Sequence, residues 1–381
     1  MPDAGPAEPP RRGAERELAR LVEDLVAIDS VNPDLVPGGA GEQAIARFVE
    51  RWLRSAGLET RLVEAAPGRP NAIGVARGRG GGRTLLLNAH LDTVGVAGME
   101  RPFAPRIEGD RLYGRGAYDM KGGLAAIMLA GAAAVGAGLA GDVVVAAVAD
   151  EELGSVGTEA LVREVRADAA VIPEPTDLAV AVAHRGFVGF EVETSGVAAH
   201  GSRPDLGVDA IAGMGPAIVA LNDQAARLAA AAAHPLLGTG SLHCSLIEGG
   251  QELSSYPARC LLAGERRTLP GETRDRVERE LAEALAGCEA DIRIGPARDA
   301  YACDPDSEIV RLVCGHAGAE PGGAPFWTDV ALLGAARIPT VLYGPAGGGA
   351  HAEVEWVDLP SVERVRAVLV AAARDFCGAP S

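Results

Sequence analysis

The chain has 381 residues, enough for two domains and a sizeable core, and its 48% hydrophobic and 23% charged content is that of a soluble globular protein. Its 52 acidic and 35 basic residues leave a net charge of −17, which argues against nucleic acid or anionic membrane as a partner, since both require a basic surface. No apolar run approaches the ~20 residues of a membrane-spanning helix. The six cysteines (Cys244, Cys260, Cys288, Cys303, Cys314, Cys377) show neither C-x-x-C pairing nor framework spacing, the pattern of reduced cysteines in a cytoplasmic protein.

Residues 1–14 are rich in Pro, Ala and Arg and lack an apolar segment of the secretory type, so a disordered tail is expected there. Leu18, Leu21, Leu25 and Ile28, then Ile45, Val49, Trp52 and Leu53, repeat at helical spacing and predict helices over 15–29 and 42–56, the second closed by Gly57. Strands are expected over 58–64, 71–77 and 83–90. The linker Gly78-Arg-Gly-Gly-Gly82 is not a phosphate-binding loop, because Arg83 stands where the third glycine belongs and a strand follows. It reads as a flexible hairpin turn.

The strand at 83–90 runs into His90-Leu-Asp92, and residues at i and i+2 of an extended chain point to one side. This places an imidazole beside a carboxylate, which is either a satisfied polar pair or a metal ligand with the group that orients it. Asp119 lies near the start of an apolar helix over 124–135, where the free N–H groups favour a carboxylate. A buried strand over 142–148 runs into Asp150-Glu151-Glu152, three adjacent acids that need compensation by water, a basic side chain or a cation. After a helix over 155–165, a strand over 169–172 runs into Glu174. Apolar strands alternating with helices, each delivering an acid or a histidine at its exit, are the signature of an open α/β sheet with a site at the carboxyl ends of its strands.

From Phe187 the texture changes. Elements in the order strand, helix, strand, strand, helix, strand over 186–297 match a split βαβ sandwich, so this segment reads as a domain inserted into an α/β domain formed by 15–185 and 298–381. The α/β pattern resumes with helices near 305–318 and 327–335, a strand over 340–343, a glycine-rich loop carrying His351, and a terminal helix.

In order and spacing, His90-Leu-Asp92-Thr-Val, Gly114-Arg-Gly-Ala-Tyr-Asp119-Met-Lys-Gly, Asp150-Glu151-Glu152, Glu174-Pro-Thr176 and Gly349-Ala-His351 resemble the motifs of the M20 family of metallopeptidases, most closely its acetylornithine deacetylase / succinyl-diaminopimelate desuccinylase branch, over nearly the whole chain. The resemblance implies a mixed-sheet, three-layer zinc-peptidase catalytic domain of α/β class with an inserted ferredoxin-like α+β lid and dimerisation domain. It implies two Zn2+ per chain, with Co2+ or Mn2+ as alternatives. Asp119 would bridge them, His90 and Glu174 would complete one site, and Glu152 and His351 the other. Asp92 would orient His90, Glu151 would be the general base, and the Asp119–Met120 peptide would be cis. His200 would reach across from the partner subunit of a homodimer to the developing oxyanion. Arg267 would hold the substrate's carboxylate, with neighbouring Arg266 as a competing candidate, and 326–329 would line the pocket.

The sequence departs from the family pattern in two places. Ser254 stands where the family often has Asn, and Val354-Glu355 replaces the usual Asp-Glu pair after His351. His184, His234 and His243 match no ligand position and read as structural. The implied activity is hydrolysis of the amide of a small carboxylate-bearing substrate, foremost an N-acyl amino acid, with a dipeptidase or carboxypeptidase as the alternative. An inactive metal-binding interaction protein is a further alternative, against which the intact Glu151 argues. His351-Ala-Glu353 imitates the H-x-E of nucleobase deaminases, but the sequence contains no P-C-x-x-C.

Overall fold

The computed structural model describes residues 13–96 and 98–378. In chain order the elements are α1 (Gly13–Val26), α2 (Gln43–Ser55), β1 (Glu59–Ala66), β2 (Arg69–Ala76), β3 (Leu85–His90), β4 (Arg106–Glu108), β5 (Arg111–Tyr113), α3 (Gly122–Ala134), β6 (Val143–Val148), α4 (Val156–Glu164), β7 (Ala169–Ile172), β8 (Val180–His184) and β9 (Gly186–Ser195). There follow α5 (Ala210–Ala229), β10 (Ser241–Gly249), β11 (Arg259–Thr268), α6 (Arg274–Leu285), β12 (Asp291–Arg298), β13 (Tyr301–Ala302), α7 (Glu308–Ala317), β14 (Pro321–Ala324), α8 (Val330–Ala335), β15 (Thr340–Leu342), β16 (Gly347–Gly348), β17 (Trp356–Asp358) and α9 (Leu359–Gly378). Most of the expected tail over 1–14 lies outside the described residues, and its last two positions already belong to α1.

The chain forms two compact units. Among the described residues, the first comprises the chain up to Val182, Cys303–Gly322 and the chain from Leu332 onward, and the second Ala183–Ala302 and Gly323–Ala331. The first unit is built on a sheet in which β1, β2, β6, β3, β7, β15 and β8 lie side by side. The central run β6-β3-β7-β15 is parallel, so these strands all end on the same side. Strands β2, β3, β6 and β7 are buried along their whole length, which is why β6 and β7 are continuous apolar runs and β3 opens on three leucines, without alternation. Helix α3 packs on β3 and β6, and α2 on β1 and β2. Glycine permits the close approach of α3: a Cβ at Gly131 would lie 2.3 Å from Val145 Cγ2.

The structure corrects the hairpin expected at 78–82. Strands β2 and β3 are not neighbours, because β6 inserts between them, antiparallel to β2 and parallel to β3. Gly78 and Gly82 of that linker serve backbone packing instead: a Cβ at Gly82 would stand 2.2 Å from the amide nitrogen of Gly141. The hairpin in this region is β1–β2. A small antiparallel sheet in the order β16-β17-β5-β4 was not expected from the sequence, because its strands have two or three residues each and give no periodicity. It pairs Trp356 with Tyr113 and Val357 with Leu112, joining the loop that carries His351 to the strand that precedes Asp119.

The second unit is the split βαβ sandwich, an antiparallel sheet in the order β10-β11-β9-β12. One face carries Val188, Phe190, Val192, Cys260 and Leu262, packed with Met214 and Leu221 of α5 and Val277 and Leu281 of α6. Glu191 and Glu193 alternate onto the other face, where they pair with Arg293 and Arg259. Segment Gly323–Ala331, assigned by the sequence to the α/β domain, clusters with this unit. There the Trp327 ring meets those of His184 and Phe187 edge-on, at 6.3 and 6.4 Å between centroids. All six cysteines are free, and no helix among the described residues is long and apolar enough to cross a membrane.

Candidate metal centre

The parallel strands present candidate metal-binding side chains at their carboxyl ends. His90 is the last residue of β3, Asp150 to Glu152 follow β6, and Glu174 follows β7. Asp119 and His351 come from loops. Two groups of ligand atoms result, each drawn together within 4.8 Å: His90, Asp119 and Glu174 in one, Asp119, Glu152 and His351 in the other. Asp119 serves both, with Oδ1 3.1 Å from His90 Nε2 and Oδ2 3.3 Å from His351 Nε2. Glu174 Oε2 is 4.0 Å from His90 Nε2, and Glu152 Oε2 is 3.2 Å from His351 Nε2. The Asp119–Met120 peptide is cis.

The donor set fits a pair of divalent cations. Imidazole nitrogen and carboxylate oxygen are the ligands of zinc and of its borderline neighbours. The Oε1 atom of Glu152 is buried without a hydrogen-bond partner, a costly state that a cation would relieve. The charge balance points the same way. Burial opposes ionisation of Asp119, yet the His351 and His90 hydrogen bonds hold its carboxyl well below the usual carboxylate range. Hydrogen bonds to Asp119 and Glu152 push His351 up to about 10. Burial disfavours a charge on His90, but Asp119 and the nearby carboxylates of Glu174 and Glu151 raise it well above an ordinary histidine. The surplus negative charge thus favours protonation of both imidazoles, and divalent cations held by these residues would satisfy it in place of the protons.

Asp92 contacts His90 chiefly through its backbone. His90 Nδ1 donates to the Asp92 backbone carbonyl at 2.9 Å, which fixes the tautomer and aims Nε2 at the ligand group. The Asp92 carboxylate stands 3.6 Å from the ring. Its oxygens accept instead from the backbone N–H groups of Glu151 (3.1 Å) and Glu152 (3.2 Å), so it holds the turn that carries both glutamates. Glu151 is half-buried and belongs to neither ligand group.

Two sets of supporting residues were not found from the sequence. Asn32 is fully buried, and its Nδ2 donates to Asp92 Oδ2 (2.8 Å) and Asp150 Oδ1 (2.9 Å). Arg69 donates to both oxygens of buried Glu42 and to Asp150 at 3.0 Å, and pairs with Asp34. Glu355, buried at 1% exposure, accepts from the backbone N–H groups of Gly116, Tyr118 and Asp119 and from Arg115 Nη1. Neither Asn32 nor Arg69 lies in a recognisable motif. Glu355 carried a signal only as a departure from the family pattern.

The remaining predicted residues lie in the second unit. His200 is exposed, with Nδ1 2.9 Å from Ser202 Oγ, and forms a bridge with Ser255. Ser254, also exposed, accepts through its carbonyl from the Gly201 N–H at 2.6 Å. Strand alternation separates Arg266 from Arg267. Arg266 faces α6, fully buried against Glu272 (3.0 Å) and Glu280 (3.2 Å). Arg267 faces the opposite side, about one-third exposed, paired with Glu265 and lying 5.6 Å from the Phe187 ring centroid. His184 is buried, and desolvation lowers it to about 4.

The family model described as peptidase family M20/M25/M40 matches residues 86–375. An acetylornithine deacetylase of Myxococcus xanthus is 30% identical, the alignment spanning 95% of this chain and 98% of that protein. Among solved structures, an aminopeptidase PepT from Bacillus cereus superposes with a TM-score of 0.78 at 19% identity, covering 94% of this chain and 97% of that one. A dinuclear metal-binding M20 peptidase from Bacillus subtilis gives 0.72 at 17% identity, covering 96% and 99%. At these identities the structural likeness speaks to the fold.

Proposed function

The chain belongs to peptidase family M20/M25/M40, a metal-dependent family, and is a hydrolase of amide bonds; from that premise we propose that it removes the acyl group from a small N-acyl amino acid. The observation that carries the reading is the pair of three-ligand groups sharing Asp119, with a further carboxylate, Glu151, beside them that is not a ligand. The deacylase assignment rests on the 30% identity to the Myxococcus xanthus acetylornithine deacetylase.

His90, Asp119 and Glu174 would hold one ion and Asp119, Glu152 and His351 the other. Zinc suits these donors, and Co2+ and Mn2+ are alternatives. Bound there, the ions supply Lewis-acid polarisation of the substrate carbonyl and activation of water near neutral pH. Glu151 takes the proton from the attacking water and returns it to the departing nitrogen. His200, contributed by a second copy of the chain, donates to the developing oxyanion. Arg267 receives the substrate's carboxylate in its planar fork, and Ser254 supplies a hydroxyl where the family often has an amide. Segment 186–297 acts as lid and dimerisation domain. In support, β10 is an edge strand, and Leu246 and Ile247 on it are 72% and 58% exposed.

A dipeptidase or carboxypeptidase would use the same residues. The deciding experiment measures free amine released from a panel of N-acyl amino acids and dipeptides before and after chelation. Release from N-acyl amino acids, lost with about two divalent ions per chain, is the expected result. Full activity in metal-free protein refutes the mechanism, and activity confined to dipeptides refutes the deacylase reading.

A further inference from the structure

We propose that Arg115 and Glu355 form a positioning clasp that assembles the metal group of Asp119, Glu152 and His351 from two separate loops; the inference rests on the metal reading above.

The two histidine ligands are held in different ways. His90 ends a strand inside the parallel sheet, and Glu174 follows the next strand of that sheet. Their separation is fixed by backbone hydrogen bonding. His351 has no such support. It sits in the loop between β16 and β17 with a left-handed φ of 62°, and Asp119 lies in an irregular turn before α3. Something must set the distance between these loops, whose ligands are 232 residues apart by subtraction of their numbers.

The clasp does so by bonds in both directions. From the His351 loop, the Glu355 carboxylate accepts at Oε2 from Arg115 Nη1 (2.7 Å) and Gly116 N–H (2.9 Å), and at Oε1 from Tyr118 N–H (2.9 Å) and Asp119 N–H (3.0 Å). From the Asp119 loop, Arg115 Nη2 donates to the carbonyl of Ala352, next to His351, at 2.9 Å, and the Gly114 N–H donates to the Glu355 carbonyl at 3.1 Å. The carboxylate therefore binds the backbone of the bridging ligand itself. Gly116 makes the cradle possible: its φ is 77°, and a Cβ there would lie 2.6 Å from Thr93 Cγ2. The His351 turn is equally tight, since a Cβ at Gly349 would meet the Val354 carbonyl at 1.8 Å. His351 is thus fixed to Glu355 by the turn, and Glu355 to Asp119 by the clasp.

A merely structural ion pair would stabilise the fold and leave the two metal groups equal. A positioning clasp predicts an unequal effect. Metal-free protein is titrated with Mn2+ and Zn2+ by calorimetry, alongside steady-state kinetics. Glu355→Gln keeps the size but turns an amide NH2 towards donors. The expected result is an unequal loss: the ion of the His351 group weakened by about 10–100-fold, the range seen for groups that orient ligands, the other, held also by the sheet residues His90 and Glu174, weakened clearly less, and kcat lowered with KM within about twofold. Arg115→Gln leaves the three backbone N–H bonds to Glu355 intact, should shift the second ion in the same direction by less, and decides the matter if Glu355→Gln does not fold. Glu353→Gln, an exposed acid in the same loop, is the control expected to change nothing. Folded clasp variants that bind both ions at wild-type affinity, or weaken both equally, overturn the proposal. Wild-type protein that binds no pair of ions overturns the metal reading, and the clasp's role with it.

Discussion

Replacing Asn32 by alanine tests whether the turn that carries Glu151 and Glu152 is held from behind. The Asn32 amide donates to two buried carboxylates, Asp92 at 2.8 Å and Asp150 at 2.9 Å, and its Oδ1 accepts from the N–H groups of Asp34 and Leu35. A hydrogen bond to a charged group is worth roughly 1.5–3 kcal/mol, so two give an upper bound of about 6 kcal/mol. The loss falls below that bound because neither acceptor is left alone. Asp92 keeps the N–H groups of Glu151 and Glu152, and Asp150 keeps Arg69. We expect a loss of about 3 kcal/mol, a large fraction of a domain's usual stability, read as a lower urea midpoint with unchanged slope. Asn32→Asp separates charge from shape, because it sets a third carboxylate against two. It should be worse than alanine at neutral pH and recover as the pH is lowered. A loss below about 1 kcal/mol for Asn32→Ala, or equal behaviour of the two variants across pH, would refute the reasoning.

Glu151→Gln should retain both metal ions and lose turnover by roughly 10²–10⁴-fold, the contribution of a general acid–base group; if it loses metal while Glu152→Gln does not, the two roles are reversed. His184 is kept neutral by burial, its folded value lowered to about 4 from 6.5. Its contribution to stability is therefore complete above about pH 6.5 and falls as the pH drops towards 4, because the unfolded chain binds the proton first. From pH 7 to pH 5 the loss is about 2 kcal/mol, with one pKa unit equal to ~1.4 kcal/mol; denaturation of His184→Gln should lack this dependence, and an identical slope in both proteins would contradict it. Sedimentation should show a dimer, and a fully active monomer would remove His200 of a second copy from the mechanism.

Much of the site could be read in the sequence because its ligands sit where β3, β6 and β7 end, and buried parallel strands announce themselves as apolar runs. His90 closes such a run, and Glu152 and Glu174 lie a few residues past theirs. Legibility stops where a contact depends on register or on distant sequence. Arg266 and Arg267 are equivalent in sequence, and only the position of α6 on one face of β11 makes the first a buried structural cation and leaves the second accessible. Strand order is illegible for the same reason. Nothing in 78–82 says that β6, which comes later in the chain, will separate β2 from β3. Asn32, Arg69 and Glu355 bond to carboxylates and donors 27 to 240 residues away, through single side chains that leave no periodic trace.

The division of labour between Glu151 and Glu152 shows how these hidden supports bear on the chemistry. Two adjacent carboxylates repel, and a free turn would let either approach a cation. Here the backbone N–H groups of both residues are bound by one carboxylate, Asp92, which is held in turn by Asn32. With the peptide between them fixed, Glu152 joins the group of His351 and Asp119, and Glu151 belongs to neither group. The aspartate that the sequence pairs with His90 thus reaches further than that histidine. Its carbonyl holds the imidazole at one candidate metal group, while in the proposed mechanism its carboxylate would fix which glutamate binds metal at the other and which remains available to carry a proton. Asp92→Asn should therefore impair both metal groups comparably, whereas loss of the Arg115–Glu355 clasp weighs mainly on the group of His351; metal titration of the two variants side by side separates the cases, and an Asp92→Asn protein that loses only one ion would contradict the double role.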